Sequence, residues 1–313
     1  MRVKKRKIRF AGLLTNTDSS ILDIKLEHGF KIEDIGSREL IELIIKFENI
    51  PEILARVRVT GEKPYLNLKE DKGYIISNLI DDFAVNVSGE LDNDNFRVLN
   101  EYDNTYANGY LYKSLSLMRL FKEGHIFMPD RYYFFDDDKS GIMAIKTGID
   151  GSCIDRTIYT LQKSELTDLQ TFLSIVRIPF EECSLRLAHD NFEISYSTNQ
   201  EHLAFLTCMM SMESLFNPSG EGELRYRIAR NTAVLIGKDK NDSESIWKRM
   251  KYLYDIRCDV VHAGKTDSVN NDDVIELRGY VRRSIKEFYK IGKSKQEVIE
   301  MLTSCGFGDK PWR

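Results

Sequence analysis

The C-terminal half of the chain contains the stretch Tyr254-Asp255-Ile256-Arg257-Cys258-Asp259-Val260-Val261-His262-Ala263-Gly264. Apolar side chains precede it at helical spacing, with Ile246, Met250 and Leu253 on one stripe. Gly264 supplies a helix stop, because glycine readily adopts the left-handed conformation that closes helices. The stretch therefore predicts a helix over 243–262 and indicates that the surrounding sequence is all-α.

Helical spacing extends on both sides of this stretch, beginning at Ser164. The predicted helices cover about 181–196, 199–216, 221–237, 243–262 and 272–292, with a short one over Lys295–Thr303. Turn-forming clusters such as Asn217-Pro218-Ser219-Gly220 separate them, so the connections are short. Five or six helices with short connections predict a helical bundle, which we assign to residues 163–313.

The first 162 residues have a different pattern, in which short segments alternate between polar and apolar side chains. The predicted strands include 21–26, 53–59, 83–87 and 132–135, and helices are predicted over Ser37–Asn49 and Leu111–Lys122. Alternation with β-branched and aromatic residues is typical of strands that expose one face. We therefore expect residues 1–162 to form an α+β domain with a mainly antiparallel sheet.

The composition is that of a soluble globular protein and excludes several functional classes. Hydrophobic residues make up 42% of the 313 residues and charged residues 30%. The net charge of −4 excludes a globally basic nucleic-acid binder, although it permits a local basic patch. The five scattered cysteines form no C-x-x-C pair, and no segment of the sequence is long and apolar enough to span a membrane. We expect a cytoplasmic protein with no metal, no cofactor and no membrane contact.

Two charged side chains fall on the predicted inward-facing stripes of two helices. Arg257 continues the stripe of Ile246 and Met250, and Glu213 continues a stripe on the helix over 199–216. Burial of either charge alone would be unfavourable, but the two would form an ion pair if their helices pack together. A structural ion pair that fixes the helix packing is one interpretation of this pattern.

His262 favours a chemical interpretation. Arginine keeps its charge and matches phosphate geometry, whereas histidine transfers protons near neutral pH. On a continuous helix, five positions separate two side chains by about 140°, so Arg257 and His262 would share a face only if the helix ended near Val261. Asp259, by local hydrogen bonding, and Gly264 would end it there. A histidine that only stabilises the helix C-terminus is the alternative.

The motif and two other helical segments carry a family resemblance. The stretch around Arg257 resembles the R-x(4–6)-H motif of HEPN domains, most closely in the Apea-like HEPN group, which typically has a tyrosine before the arginine, as Tyr254 here. Met212-Glu213-Ser214-Leu215-Phe216 is similar to the acidic helix end of that group. Arg227–Leu235 is similar to its arginine-containing helix. The resemblance covers roughly residues 180–295.

The resemblance implies a helical bundle that dimerises and an endoribonuclease that needs no metal. Two R-x(4–6)-H motifs would face each other in a homodimer and form one composite site. Arg257 would contact the scissile phosphate, Glu213 would orient it, and His262 would act as general base on the 2′-hydroxyl or as acid on the leaving 5′-oxygen. Tyr254 and Asp259 would support the site. The products would be a 2′,3′-cyclic phosphate and a 5′-hydroxyl.

The chain departs from the family pattern at two positions inside the motif. Position 258 is Cys where a small polar residue is common. Ala263 stands between His262 and the glycine that follows. Both departures leave the arginine and the histidine of the motif in place.

Clustered arginines supply candidate RNA contacts in an acidic protein. The candidates are Arg225, Arg227 and Arg230 on one predicted helix, and Arg282 and Arg283 on another. Such groups would neutralise phosphates, with ordinary solvated helix faces as the alternative. The basic segment Met1–Lys7 is a further candidate, with a frayed terminus as the alternative.

The resemblance also implies a biological role. Apea-like proteins are associated with prokaryotic anti-phage defence, often by abortive infection. Residues 1–162 would then respond to a phage-derived trigger or bind a regulatory partner. Two alternatives are open. One is a non-catalytic HEPN dimerisation or binding module, in which Arg257 and His262 are structural, and the other is a toxin held by a separate antitoxin.

Overall fold

The computed structural model describes residues 4–62, 65–85, 93–146, 157–217 and 223–312. These residues form two compact units, one that ends at Val176 and one that begins at Arg177. In the described ranges, the first unit combines an antiparallel sheet with helices, and the second consists of helices and their connections. The mixed architecture confirms the expected α+β first half and helical second half.

Six strands form the antiparallel sheet in the described part of the first unit. They are β1 (Lys4–Thr15), β2 (Lys31–Gly36), β3 (Leu66–Asn67), β4 (Lys72–Val85), β5 (Phe127–Phe135) and β6 (Gly141–Lys146). The strand order is β2-β4-β1-β5-β6, with β3 also paired to β4. Lys4–Lys7 therefore begin a central strand and are not a free basic arm, while Met1–Val3 lie outside the described residues. Arg6 in this strand forms a 2.7 Å ion pair with Asp138.

The helices of the first unit include the two that the sequence predicts. They are α1 (Ser37–Glu48), α2 (Glu52–Val57), α3 (Asn93–Tyr102), α4 (Tyr112–Phe121) and α5 (Leu166–Ile175), with π-helical segments over Arg58–Glu62 and Asp103–Leu111. α1 and α4 confirm the predicted helices. The predicted strands over 83–87 and 132–135 overlap β4 and β5, except that residues 86 and 87 lie outside the described ranges.

Two predicted strands are wrong, and burial explains the error. In the segment 21–26, Ile21 ends a short 3-10 turn and the following residues form no strand. The segment 53–59 is helical, and its turn buries Ala55 and Val59, which are four residues apart. Three of its other apolar residues, Ile53, Leu54 and Val57, are 70%, 52% and 52% exposed and face away from that core. Alternation of apolar residues in this segment therefore does not correspond to a buried face.

The sheet has a hydrophobic core on each of its faces, because neighbouring residues of a strand point to opposite sides. Phe10 and Tyr133 belong to one core, whereas Ala11 and Tyr132 belong to the other. Leu169 of α5 is fully buried in the first of these cores. For this reason α5 belongs to the first unit, and the boundary between the units lies after Val176 instead of at the predicted residue 162.

The second unit contains the six helices that the sequence predicts. They are α6 (Cys183–Ser197), α7 (Glu201–Phe216), α8 (Leu224–Ile236), α9 (Lys240–Ala263), α10 (Asn271–Ile291) and α11 (Lys295–Ser304). The predicted turn at Pro218–Gly220 and the first two residues of the predicted helix over 221–237 lie outside the described ranges. α7 packs against α6, α9 and α10, and α8 packs against α9. Over the described ranges, no helix has both the length and the apolar character needed to cross a bilayer.

Candidate functional site

Helix α9 carries the motif and ends at Ala263, one residue after the end of the predicted helix over 243–262. Gly264, with φ of +65°, caps the helix, and its N–H donates to the carbonyl oxygen of Asp259. The side chain of Asp259 does not interrupt the helix, since its Oδ1 lies 3.3 Å from Nζ of Lys265. The predicted helix over 243–262 therefore ends within one residue of the observed end. An end near Val261, which would have let His262 share a face with Arg257, does not occur, because the backbone stays helical through Ala263.

The longer helix keeps the arginine and the histidine of the motif apart. Five helical positions place His262 about 140° around the axis from Arg257. The side chain of His262 is exposed, and it forms no hydrogen bond or ion pair with another side chain in the described ranges. A single chain therefore does not direct both side chains at one phosphate.

Arg257 forms the ion pair with Glu213 that the helical stripes predict. Nε of Arg257 lies 3.2 Å from Oε1 of Glu213, and the two side chains are 23% and 22% exposed. The N–H is not well directed at this oxygen, since the buried Oε1 of Glu213 has no hydrogen-bond partner among the described residues. The pair joins α7 to α9 and leaves part of the guanidinium open to solvent.

Tyr254 contacts the arginine from a second side. The ring of Tyr254 is 8% exposed, and its centroid lies 5.7 Å from Cζ of Arg257, within the range of a cation–π interaction. Burial raises the pKa of Tyr254, and the negative charge of Glu213 adds to that effect. The terminal nitrogens of Arg257 donate no hydrogen bond to any described residue. Arg257 is thus held by the Glu213 carboxylate and the Tyr254 ring, while its terminal N–H groups remain available to bind an anion.

His262 shares its helix face with a second ion pair that the sequence analysis did not predict. Asp255 precedes His262 by seven residues and lies about 20° from it around the axis. Arg225 of α8 donates from Nε to Oδ1 and from Nη2 to Oδ2 of Asp255, both at 2.6 Å. The hydrogen bond to Asp255 raises the pKa of Arg225 above its usual value. The seven-residue spacing between Asp255 and His262 in the sequence indicates this shared face, because residues seven apart lie on one side of a helix.

Three of the five arginines predicted to bind RNA have other roles. Arg282 is 6% exposed and donates to the hydroxyl of Tyr196. Arg230 donates to carbonyl oxygens at the C-terminal end of α11, and Arg283 donates to the carbonyl oxygen of Ile236 at the end of α8. Helix-end carbonyls lack partners within their helix, so these arginines act as caps. All three side chains serve the packing of the bundle, which corrects their assignment as RNA contacts.

Two of the predicted RNA contacts stay on the surface. Arg225 and Arg227 are both exposed on α8, as is Tyr226 between them at 47%. Arg227 lies about 200° around α8 from Arg225, so the two arginines face different directions. Arg225 alone points to α9, through its pair with Asp255.

Exposed apolar side chains share helix faces with Arg257 and Glu213. Leu203 and Met210 of α7 are 42% and 51% exposed, and they lie on the same stripe as Glu213. Val261 of α9, four residues after Arg257, is 48% exposed. Exposed apolar residues that lie together are typical of surfaces that contact another molecule.

The observed end of α9 predicts opposite effects for two glycine substitutions. Gly264→Ala should lower the free energy of unfolding by about 1 kcal/mol, because a positive φ is unfavourable for a residue with a Cβ, although no atom lies within 4 Å of the added carbon. Gly279→Ala, in the interior of α10, also adds a Cβ in open space and should raise stability by up to about 1 kcal/mol. Urea unfolding followed by tryptophan emission measures both, since Trp247 and Trp312 lie in the second unit. Shifts of the same sign would contradict the left-handed cap.

The candidate site thus consists of two ion pairs and one histidine: Arg257 with Glu213, Arg225 with Asp255, and His262. The described residues contain no group of three or more His, Cys, Asp or Glu side chains that would hold a metal ion. No family model, curated protein or solved structure matches this chain.

Proposed function

We propose that this protein is a HEPN endoribonuclease of the Apea-like group, which cleaves RNA without a metal ion as a homodimer. The observation that carries the proposal is the environment of Arg257. Its guanidinium is held by Glu213 and by the ring of Tyr254, and its terminal nitrogens face no acceptor in the described residues. A fixed guanidinium with unused donors suits the stabilisation of negative charge on a scissile phosphate.

The position of His262 supports a site shared by two chains. An exposed histidine about 140° from Arg257 is accessible to a second molecule but not to the arginine of its own chain. The exposed apolar residues Leu203, Met210 and Val261 supply a surface that a second copy would cover. In such a dimer, Arg257 of one chain would act with His262 of the other.

The proposed reaction is an intramolecular transfer within the RNA strand. The 2′-oxygen forms a bond to phosphorus, and the bond from phosphorus to the 5′-oxygen breaks. The His262 imidazole removes the proton of the 2′-hydroxyl, and the resulting imidazolium delivers a proton to the leaving 5′-oxygen, so the histidine returns to its initial state. The products are a 2′,3′-cyclic phosphate and a 5′-hydroxyl. DNA lacks the nucleophile and would not be cleaved.

The biological part of the proposal rests on the resemblance. Cleavage of cellular RNA during infection would stop phage growth by abortive infection. The first unit, with its sheet and two cores, would bind the phage-derived trigger or a regulatory partner. Growth arrest after expression without phage would favour a toxin controlled by an antitoxin instead.

A non-catalytic HEPN module is the second candidate function. It is favoured by the Arg257–Glu213 pair, because an ion pair between α7 and α9 also fixes how the two helices pack. In this case the apolar surface would mediate dimerisation or binding, and neither Arg257 nor His262 would take part in RNA cleavage.

Cleavage of end-labelled RNA in the presence of EDTA separates the two functions. We expect Arg257→Ala and His262→Ala to lose about a hundredfold or more of the wild-type rate, since each removes a group that acts in the transition state. Arg38→Ala and His28→Ala in the first unit are the matched controls, because both side chains are exposed. Equal activity in wild type and both motif variants would indicate a contaminating nuclease and contradict the proposal.

A further inference from the structure

The ion pair between Arg225 and Asp255 lies on the His262 face of α9, away from the Arg257–Glu213 pair. Seven residues separate Asp255 from His262, which corresponds to about 10 Å along the helix axis. Their directions differ by only about 20° around the axis. An RNA strand whose reacting nucleotide contacts His262 would therefore bring a neighbouring phosphate towards Arg225.

The hydrogen bonds of Arg225 leave one edge of its guanidinium available. Asp255 accepts from Nε and Nη2, and no described residue accepts from Nη1. The side chains are 48% and 54% exposed, so an anion from solvent can reach the second edge. A guanidinium that is already held by a carboxylate loses less conformational freedom when it binds a phosphate.

A surface ion pair that only joins α8 to α9 is the alternative explanation. Exposed pairs of this kind contribute little to stability. The two helices also pack closely against each other, and Ile228 of α8 and Leu253 of α9 are fully buried. The packing of α8 on α9 therefore does not require the ion pair.

We infer that Arg225 is a second phosphate-binding residue, which contacts the RNA backbone next to the cleaved phosphate, and that Asp255 positions it. This inference rests on the proposed ribonuclease function. It selects Arg225 from the five predicted RNA contacts, because three of them serve the bundle and Arg227 faces another direction. The substrate is then an RNA strand that extends from His262 along α9 towards α8.

The test measures binding separately from cleavage. The probe is a fluorescein-labelled 2′-O-methyl oligouridine, which cannot be cleaved because it lacks the free 2′-hydroxyl. Its dissociation constant is measured by anisotropy in EDTA at several salt concentrations, for wild type, Arg225→Ala, Arg225→Lys and the control Arg38→Ala. Cleavage of unmodified oligouridine gives KM and kcat for the same proteins.

We expect Arg225→Ala to weaken binding roughly tenfold. The slope of log Kd against log salt concentration should become smaller by about 0.7, the amount for one phosphate contact on a single strand. KM should rise while kcat stays within about twofold, because the contacted phosphate is not the reacting one. Arg225→Lys should keep the wild-type salt slope, since it keeps the charge. The control should match wild type in every measurement.

The two proposals fail in different ways. If the wild-type protein binds the probe, Arg225→Ala reduces the salt slope, and the wild-type protein does not cleave unmodified RNA, the phosphate contact is supported and the ribonuclease is contradicted. Wild-type cleavage with an unchanged slope in Arg225→Ala overturns the phosphate contact alone. Absence of any wild-type binding to the probe also overturns it.

Discussion

A purified mixed dimer of one Arg257→Ala chain and one His262→Ala chain is expected to keep about half of the wild-type cleavage rate, although each variant alone loses about a hundredfold or more. The reason is the course of α9, which stays helical through Ala263 and separates the two side chains by about 140°. The proposed dimer with two-fold symmetry would then bind RNA in two equivalent ways, each with Arg257 of one chain and His262 of the other. The mixed dimer keeps one of these arrangements intact.

The matched control is a mixed dimer of a wild-type chain and a chain with both substitutions. It contains the same two alanines, but neither cross-chain arrangement keeps both functional side chains. Two different affinity tags isolate each mixed dimer from co-expressed chains, and the cleavage rate is measured in EDTA. Activity in the control and none in the first dimer would place arginine and histidine action within one chain and contradict the shared site.

The helical half of the protein was predictable because its signals are local. Amphipathic spacing marks the buried stripe of each helix, and capping residues mark the ends. In α10, for example, the side chains of Asn270 and Asp273 cap each other's backbone N–H groups, and Gly292 ends the helix with φ of +64°. The pair of Arg257 with Glu213 followed from the same stripes, because it needs only the assumption that the two helices are neighbours.

The sheet was less predictable because its central strands β1 and β5 bury residues on both faces. β1 begins with the basic residues Lys4–Lys7 and continues into the apolar run Ala11–Leu14. Polar and apolar residues therefore do not alternate at either end of this strand. Its central position in the sheet depends on pairing with β4 and β5, which are distant in sequence. Patterns within a short window do not contain this information.

The roles of the arginines required the tertiary structure. A run of arginines on one helix looks the same in sequence whether its members bind phosphate or carbonyl oxygens. Arg230 reaches α11 and Arg283 reaches the end of α8, and the sequence does not show that these partners are near. The end of α9, in contrast, follows from a local signal, because Gly264 caps the helix directly after Ala263.

Arg58→Ala is expected to lower the free energy of unfolding of the first unit by about 3–5 kcal/mol, because it leaves buried carboxylates without their cation. The Glu48 and Asp130 side chains are 1% and 0% exposed, and Arg58 lies between them. Its Nη1 is 2.6 Å from Oε2 of Glu48, and its Nη2 is 3.2 Å from Oδ2 of Asp130. The second cation at Glu48, Lys146, is 3.2 Å away and 44% exposed, so it replaces Arg58 only in part.

Two tyrosines complete this cluster and do not supply the missing charge. The hydroxyl of Tyr132 donates to Oε1 of Glu48 at 3.0 Å, and the hydroxyl of Tyr65 donates to Asp130. Burial raises the pKa of both hydroxyls, so they stay protonated and remain neutral donors. Loss of Arg58 therefore leaves hydrogen bonds to the carboxylates but removes the guanidinium between them.

Arg56→Ala is the matched control, because Arg56 lies two residues earlier and pairs with Glu52 while both are more than half exposed. Arg56→Ala should lower the free energy of unfolding of the first unit by only about 0.3–0.5 kcal/mol. Hydrogen exchange of peptides from α1 and β5 during urea unfolding measures both variants, while tryptophan emission from the second unit serves as an internal reference. The loss of unfolding free energy in Arg58→Ala should become smaller at low pH and with Glu48→Gln as a second substitution, because both remove a buried negative charge that Arg58 no longer balances. Equal small losses for Arg56→Ala and Arg58→Ala would mean that the two carboxylates do not depend on Arg58.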